Sequence, residues 1–178
     1  MIKKSLNHPY GFTLVELMVA ISIIGILSSI VYANFGEARK SSRDDIRKTS
    51  MKELQLAIEF YKAQNDVYPT AGCSATAAPS SGGNLAAQYW ANGECGQYII
   101  GLIPDYIPAL PVDPNSEAGS GRGYMYASNG TNYKLMIKDT VEVKTVIAGD
   151  EYSRCLIFSS CGGNGNTYAT YSAGAINW

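Results

Sequence analysis

The chain has 178 residues, 46% of them hydrophobic and only 16% charged, and its formal net charge is −1. That length allows one domain with a core of its own, while the near-neutral balance argues against a nucleic-acid surface built on bulk positive charge and against a highly charged disordered chain. The single histidine is His8, so a His-based catalytic triad or a His-containing zinc site is excluded from the main body, and an enzyme is the disfavoured reading.

From Phe12 to Phe35 the sequence reads FTLVELMVAISIIGILSSIVYANF, with Glu16 its one charged residue. As a helix this run rises about 36 Å, enough to cross a hydrocarbon core of roughly 30 Å. It is too long for the apolar region of a secretory signal, which runs to about 7–15 residues. We read one membrane-spanning helix. Lys3 and Lys4 precede it, and Arg39, Lys40, Arg43, Arg47 and Lys48 follow it. The positive-inside rule alone therefore places the C-terminal body in the cytoplasm. Cys73, Cys95, Cys155 and Cys161 point the other way. They are even in number, sit in Gly/Ser-rich surroundings, and form neither a CxxC pair nor a zinc spacing, which suits disulfides in an oxidising compartment. On composition alone the orientation stays open.

The string KKSLNHPYGFTLVEL sets a short basic leader before Gly11, then Phe12 opening the apolar helix, with Glu16 about one turn in. This stretch, residues 3–35, resembles the leader of type IV pilins and type II secretion pseudopilins. The resemblance implies that prepilin peptidase cuts between Gly11 and Phe12 and that the new Phe12 amine is methylated. It also implies a single-pass inner-membrane precursor with its head outside the cytoplasm, lodged in lipid until an inner-membrane assembly platform adds it to identical or related subunits. The product is a surface filament or a periplasmic pseudopilus. Glycine has no Cβ, so the bond after Gly11 is unshielded. Glu16 lies four residues after Phe12, about 6 Å along the axis and on the same face. A carboxylate at the centre of a membrane helix costs about 2.5–3.5 kcal/mol, so it needs a partner. The resemblance implies the terminal amine of a neighbouring subunit, an assembly role for Glu16; snorkelling to the headgroups and pairing with the chain's own Phe12 amine are the alternatives.

After Gly36 the pattern becomes amphipathic. Met51, Leu54, Ile58 and Tyr61 form the stripe of a helix packed on a core, with Glu53, Glu59 and Lys62 off it. Phe12 to about Gln64 is thus predicted as one helix of roughly 80 Å. The proline found partway down the stem of many pilins is absent, and Asn34 and Gly36 are the weak helix formers at that level, where any local unwinding would occur. The basic cluster from Arg39 to Lys52 is interleaved with Glu37, Asp44 and Asp45, which favours a solvated, paired helix surface over a DNA site.

Pro69 ends the helix, and Thr70 to Asn84 reads as an exposed loop. Cys73 and Cys95 flank that loop, and a bridge between them is worth about 3 kcal/mol in the chain-entropy model. Cys155 and Cys161 bracket LIFSS; sequential pairing is the favoured connectivity among the alternatives. The segment LIPDYIPALPVDP, with Pro104, Pro108, Pro111 and Pro114, is expected as extended connection; it resembles the stretch just before the sheet in major pseudopilins. In GYMYASNGTNYKLMIK, Asn129-Gly130 is a hairpin signal. Tyr133, Leu135 and Ile137 alternate with Lys134 and Lys138, predicting one buried and one wet face. Thr167 to Ser172 reads as a further strand, and AGAINW as an apolar tail that docks on the head. Asp113, Asn115, Ser116 and Glu117 are hard oxygen donors suited to calcium, and the related pseudopilins use a calcium in this general region; a polar turn is the favoured explanation, so no metal ligand or cofactor is assigned. The tyrosines are expected in strands and core.

The fold expected is α+β and pilin-like, a long N-terminal helix with a small antiparallel sheet head. Residues 1–11 are the leader, 12–35 the transmembrane and assembly helix, 36–66 its amphipathic continuation and 67–178 the disulfide-braced head. The expected function is that of a structural subunit of a type IV pilus-like filament. A major-type type II secretion pseudopilin is the alternative, and a monomeric membrane-anchored binding domain the alternative from another class. The long cysteine-bearing loop and second disulfide favour the pilus; LPVDP and its hairpin favour the pseudopilus. No catalytic residue is expected.

Overall fold

The computed structural model describes residues 11–73, 76–77, 84–87, 89–90, 93–115, 122–143, 146, 151–153, 165–176 and 178. Helix α1 runs from Leu14 to Asn65 without a break. Asn34 and Gly36, the weak helix formers of the stem, are both helical. The helix has no proline to remove an internal hydrogen bond, and the propensity cost of one glycine and one asparagine, about 1 kcal/mol or less each, does not break it. The chain divides into two compact units, residues 1–39 and 40–178, so α1 contributes to both.

In the second unit Met51, Leu54 and Ile58 are fully buried, Ala57 nearly so, and Tyr61 packs against the same cluster. Among the described residues nine short strands follow: β1 (Thr70–Ala71), β2 (Thr76–Ala77), β3 (Asn84–Ala87), β4 (Tyr89–Trp90), β5 (Gly93–Glu94), β6 (Ile99–Ile100), β7 (Gly123–Ser128), β8 (Tyr133–Lys138) and β9 (Tyr168–Tyr171). An antiparallel sheet of order β2-β3-β7-β8-β9 carries the head, with β1-β6 and β4-β5 as separate two-stranded pairs. The segment expected as exposed loop after Pro69 therefore holds β1 and β2 and leads into β3. The hairpin at Asn129-Gly130 forms, with Ser128 paired to Tyr133. Its loop has four residues, closed by Asn129 N–H donating to the Asn132 carbonyl at 3.2 Å, and Gly130 takes φ 81°, a conformation glycine adopts without a Cβ penalty.

One face of the β7-β8 ribbon meets α1. Tyr124, Tyr126, Tyr133, Leu135 and Ile137 are buried there with Met51, Leu54 and Ile58. Two of the buried tyrosines keep a polar tip satisfied: Tyr126 Oη donates to the Pro69 carbonyl at 2.9 Å and Tyr98 Oη to the Pro111 carbonyl at 3.0 Å. Burial raises the Tyr124 hydroxyl to about 12.

The other face is not wet, which corrects the alternation argument. Met125, Met136 and Ala169 form a second small cluster with Tyr171 against it. Lys134 is buried: its ammonium donates to the carbonyls of Trp178 at 2.8 Å and Ile176 at 3.4 Å and lies 5.0 Å over the Tyr171 ring. A lysine can be hidden when its donors find carbonyls and its stem lies along apolar surface. The tail supplies those carbonyls after a 3₁₀ turn at Ala173–Ala175.

The proline-rich segment is only partly extended. Tyr106 and Ile107 N–H both donate to the Leu102 carbonyl, at 3.0 and 3.2 Å, so its first half is a turn that buries Leu102. Cys73 and Cys95 are joined by a disulfide with a Cα–Cα distance of 5.8 Å. Just before it, an added Cβ at Gly72 would stand 1.8 Å from the Gln97 carbonyl oxygen, so only glycine fits that approach. Cys155 and Cys161, with Ser116 and Glu117, lie outside the described residues.

A candidate assembly site at the start of the helix

The N-terminal unit is built from side chains with nowhere in the chain to hide. Phe12 is 75% exposed, and Leu14, Val15, Leu17, Met18, Val19, Ile21, Ile23, Ile24, Ile26, Leu27 and Ile30 are each more than half exposed. The most apolar stretch of α1 has a mean hydropathy of 2.4, long and apolar enough to cross a membrane. Exposed apolar surface on this scale marks a site of contact with lipid or protein. Gly11 and Phe12 are exposed and precede the helix, and no atom beyond the immediate chain neighbours lies within 4 Å of where a Gly11 Cβ would be.

Two residues on, the chain makes a capping box that the sequence reading missed. Thr13 N–H and Thr13 Oγ1 donate to Glu16 Oε2 at 2.9 and 2.7 Å, and Glu16 N–H donates to Thr13 Oγ1 at 3.2 Å. The Thr-x-x-Glu spacing is the signal that announces it. In the uncut chain the Glu16 carboxylate closes its own helix end. That leaves Oε1 without a bond in the capping box and Glu16 on the same exposed surface as Phe12. A carboxylate so placed favours the positive end of a helix dipole, and a new amine at Phe12 would appear one turn from it.

The second unit holds a cluster the sequence reading also missed. Arg47 was grouped with a solvated basic surface; instead its side chain is fully buried. It lies on the buried stripe, four residues before Met51, which is the signal that finds it. Its Nε and Nη2 donate to Asp113 Oδ2 and Oδ1 at 2.7 and 3.0 Å, and its Nη1 to Asp44 Oδ1 at 2.7 Å and Glu142 Oε1 at 2.9 Å. Arg43 Nε adds a bond to Glu142 Oε1 at 2.8 Å. Asp44 also accepts the backbone N–H groups of Glu142 and Val143, at 3.1 and 3.0 Å from Oδ2. Hydrogen bonds from Arg43 hold the Glu142 carboxyl down to about 2, with burial opposing and Arg47 assisting. Burial works against the Arg47 charge, yet its bonds to Asp113 and Glu142 raise its pKa. Farther along the basic run, Lys48 and Asp45 make an i,i+3 pair at 3.9 Å.

Of the expected calcium donors, Ser116 and Glu117 lie outside the described residues, while Asp113 is engaged by Arg47. Both of its oxygens accept from Arg47, and Oδ1 also accepts the Asn115 N–H at 2.9 Å. Calcium takes about 6–8 oxygen ligands, and this carboxylate faces a guanidinium in the interior. Among the described residues no group of three or more His, Cys, Asp or Glu is arranged to hold a metal ion.

Comparison with known proteins fits this geometry. The family model for the prokaryotic N-terminal methylation motif matches residues 6–32. Type II secretion system core protein G of Vibrio cholerae serotype O1 is 30% identical over 143 residues, covering 80% of this chain and 83% of that protein. Core protein G of Escherichia coli K12 is 33% identical over 106 residues, 58% of this chain and 65% of its own length. Type IV major pilin protein PilA of Myxococcus xanthus is 25% identical over 175 residues, 90% of this chain and 76% of that one. No solved structure matches at comparable significance. An exposed Gly–Phe pair, a Glu-capped apolar helix and a likeness that extends through the head place the chain in the type IV pilin and type II secretion pseudopilin family.

Proposed function

We propose that this structural subunit is cut between Gly11 and Phe12 by prepilin peptidase, methylated at the Phe12 amine, and polymerised through its N-terminal helix into a pilus-like filament. The observation that carries the proposal is the run of exposed apolar side chains from Leu14 to Ile30 beside the exposed Gly11 and Phe12. Such a surface needs lipid before assembly and other helices of the same kind after it. Glu16 is the group that changes partner: cutting frees an amine, and a neighbouring subunit's amine would compete with Thr13 for the carboxylate. The precursor sits in the inner membrane with its head outside the cytoplasm, where an oxidising compartment suits the Cys73–Cys95 bridge, and an inner-membrane platform feeds it to the growing end. The chain is a substrate of these enzymes, with no catalytic residue of its own.

A second reading, a pseudopilin of a type II secretion machine, is favoured by the likeness to core protein G over most of both chains. Intact mass and N-terminal sequencing of the native chain test the first step: a methylated Phe12 start is expected, and a Met1 start overturns the proposal. Recovery in sheared surface filaments supports the pilus, and recovery only in envelope complexes the pseudopilus. Glu16→Ala separates both from a monomeric anchored domain. A filament subunit should still be cut yet assemble poorly, whereas a monomeric domain should behave as wild type.

A further inference from the structure

Three carboxylates from distant parts of the chain, Asp44, Asp113 and Glu142, converge on one point of the head. Such a cluster ordinarily demands a cation. Here every one of the six carboxylate oxygens already accepts a hydrogen bond. Asp113 Oδ1 and Oδ2 take Arg47 Nη2 and Nε. Asp44 Oδ1 takes Arg47 Nη1, and Oδ2 takes the backbone N–H groups of Glu142 and Val143. Glu142 Oε1 takes Arg43 Nε and Arg47 Nη1, and Oε2 takes Arg43 Nη2. Four donated bonds from one guanidinium, with no exposure of its side chain, put a permanent positive charge at the centre of the cluster. A guanidinium stays protonated at any physiological pH, and its planar fork matches carboxylates two bonds at a time.

We propose that Arg47 is the built-in counter-cation of this acidic cluster, doing there what a bound divalent ion would otherwise do, so that the cluster binds no calcium and its two loops stay on the helix without one. A divalent ion entering the cluster would compete with the guanidinium for oxygens that each already accept at least one hydrogen bond, and it would face Arg47 and Arg43 as like charges. Arg47 is covalently part of α1, so its effective concentration at the cluster does not depend on the medium.

The test is the melting temperature of the full chain in detergent micelles, in EDTA and in excess calcium chloride, for wild type and for Asp113→Asn and Glu142→Gln. The two variants each remove one carboxylate charge from the cluster, and either suffices if the other does not fold. No shift in wild type between EDTA and calcium is the expected result and supports the proposal. A shift in wild type that persists unchanged in the variants places the ion elsewhere in the chain, and also supports it. A calcium-dependent rise in wild type that either variant abolishes overturns it.

Discussion

Arg47 and Asp113, 66 positions apart in the chain, meet through two parallel N–H···O bonds of 2.7 and 3.0 Å, and neither side chain has any exposure. One residue comes from the helix and the other from the end of the proline-rich segment, so the pair fixes where that segment crosses the helix before β7 begins. Burying two charges is costly, and such a pair holds because its geometry and remaining hydrogen bonds are complete.

Removing one partner should therefore be severe. Arg47→Ala leaves Asp113 and Asp44 buried without their cation, for which a cost of about 3–5 kcal/mol is expected. Denaturant unfolding of the full chain in micelles, followed by tyrosine fluorescence, measures it. Arg47→Met combined with Asp113→Leu should recover the share of the loss due to Asp113, since a well-packed apolar pair needs no counter-charge, while Asp44 stays buried without its cation. A double variant no better than Arg47→Ala would contradict this account of the pair.

Glu142 gives the head an acid limit. Its folded pKa, about 2, lies below the ordinary 4.5, so the ionised form is favoured by folding. The stabilisation is complete above the unfolded value and is lost as pH falls from about 4.5 towards 2. The melting temperature should hold level from neutral pH to about 5 and then fall. Glu142→Gln should melt lower at neutral pH and show a shallower fall below pH 4.5. A wild-type curve as shallow as that of the variant would be inconsistent with the Arg43–Glu142 pair.

Thr13 sets the start of α1 through its exchange of bonds with Glu16. Replacing a threonine cap by alanine costs about 1 kcal/mol. Thr13→Ala should speed amide hydrogen exchange in the first turn of the helix, while Thr13→Ser, which keeps the hydroxyl, should not. Equal exchange in the two variants would show that the hydroxyl does not hold that end.

How much of this was legible depended on the range of the signal. The apolar run from Phe12 and the stripe Met51, Leu54, Ile58 and Tyr61 are local periodicities, and both read directly as helix, one face buried in the second case. Arg47 sits on that same stripe, yet nothing local says that Asp113 and Glu142 arrive beside it; only the tertiary fold brings a charge its partners. Lys134 failed for the same reason, because an alternating strand shows which face is polar but not that a distant tail will cover it. Thr13 is the opposite case, a local pattern present in TLVE and passed over because Glu16 was weighed only against charged partners and headgroups.

The bridge between Cys73 and Cys95 spans a sequence separation of 22, for which chain-entropy reasoning gives about 3 kcal/mol. Cys73→Ala combined with Cys95→Ala should unfold at lower denaturant by that amount. Reductant should have less effect on the double variant than on wild type. Equal midpoints for wild type and variant would mean that the β1-β6 pair is held by its packing alone.

Lys134 has one more consequence. With its ammonium spent on the carbonyls of Ile176 and Trp178 and its flank against Tyr171, the amine cannot present the lone pair that an acylating reagent attacks. Its chemical reactivity is thus tied to the seating of the last residues on the sheet. The molecule carries an internal label site that stays silent while the tail is in place and becomes reactive when it lifts, in a lone subunit or within a filament.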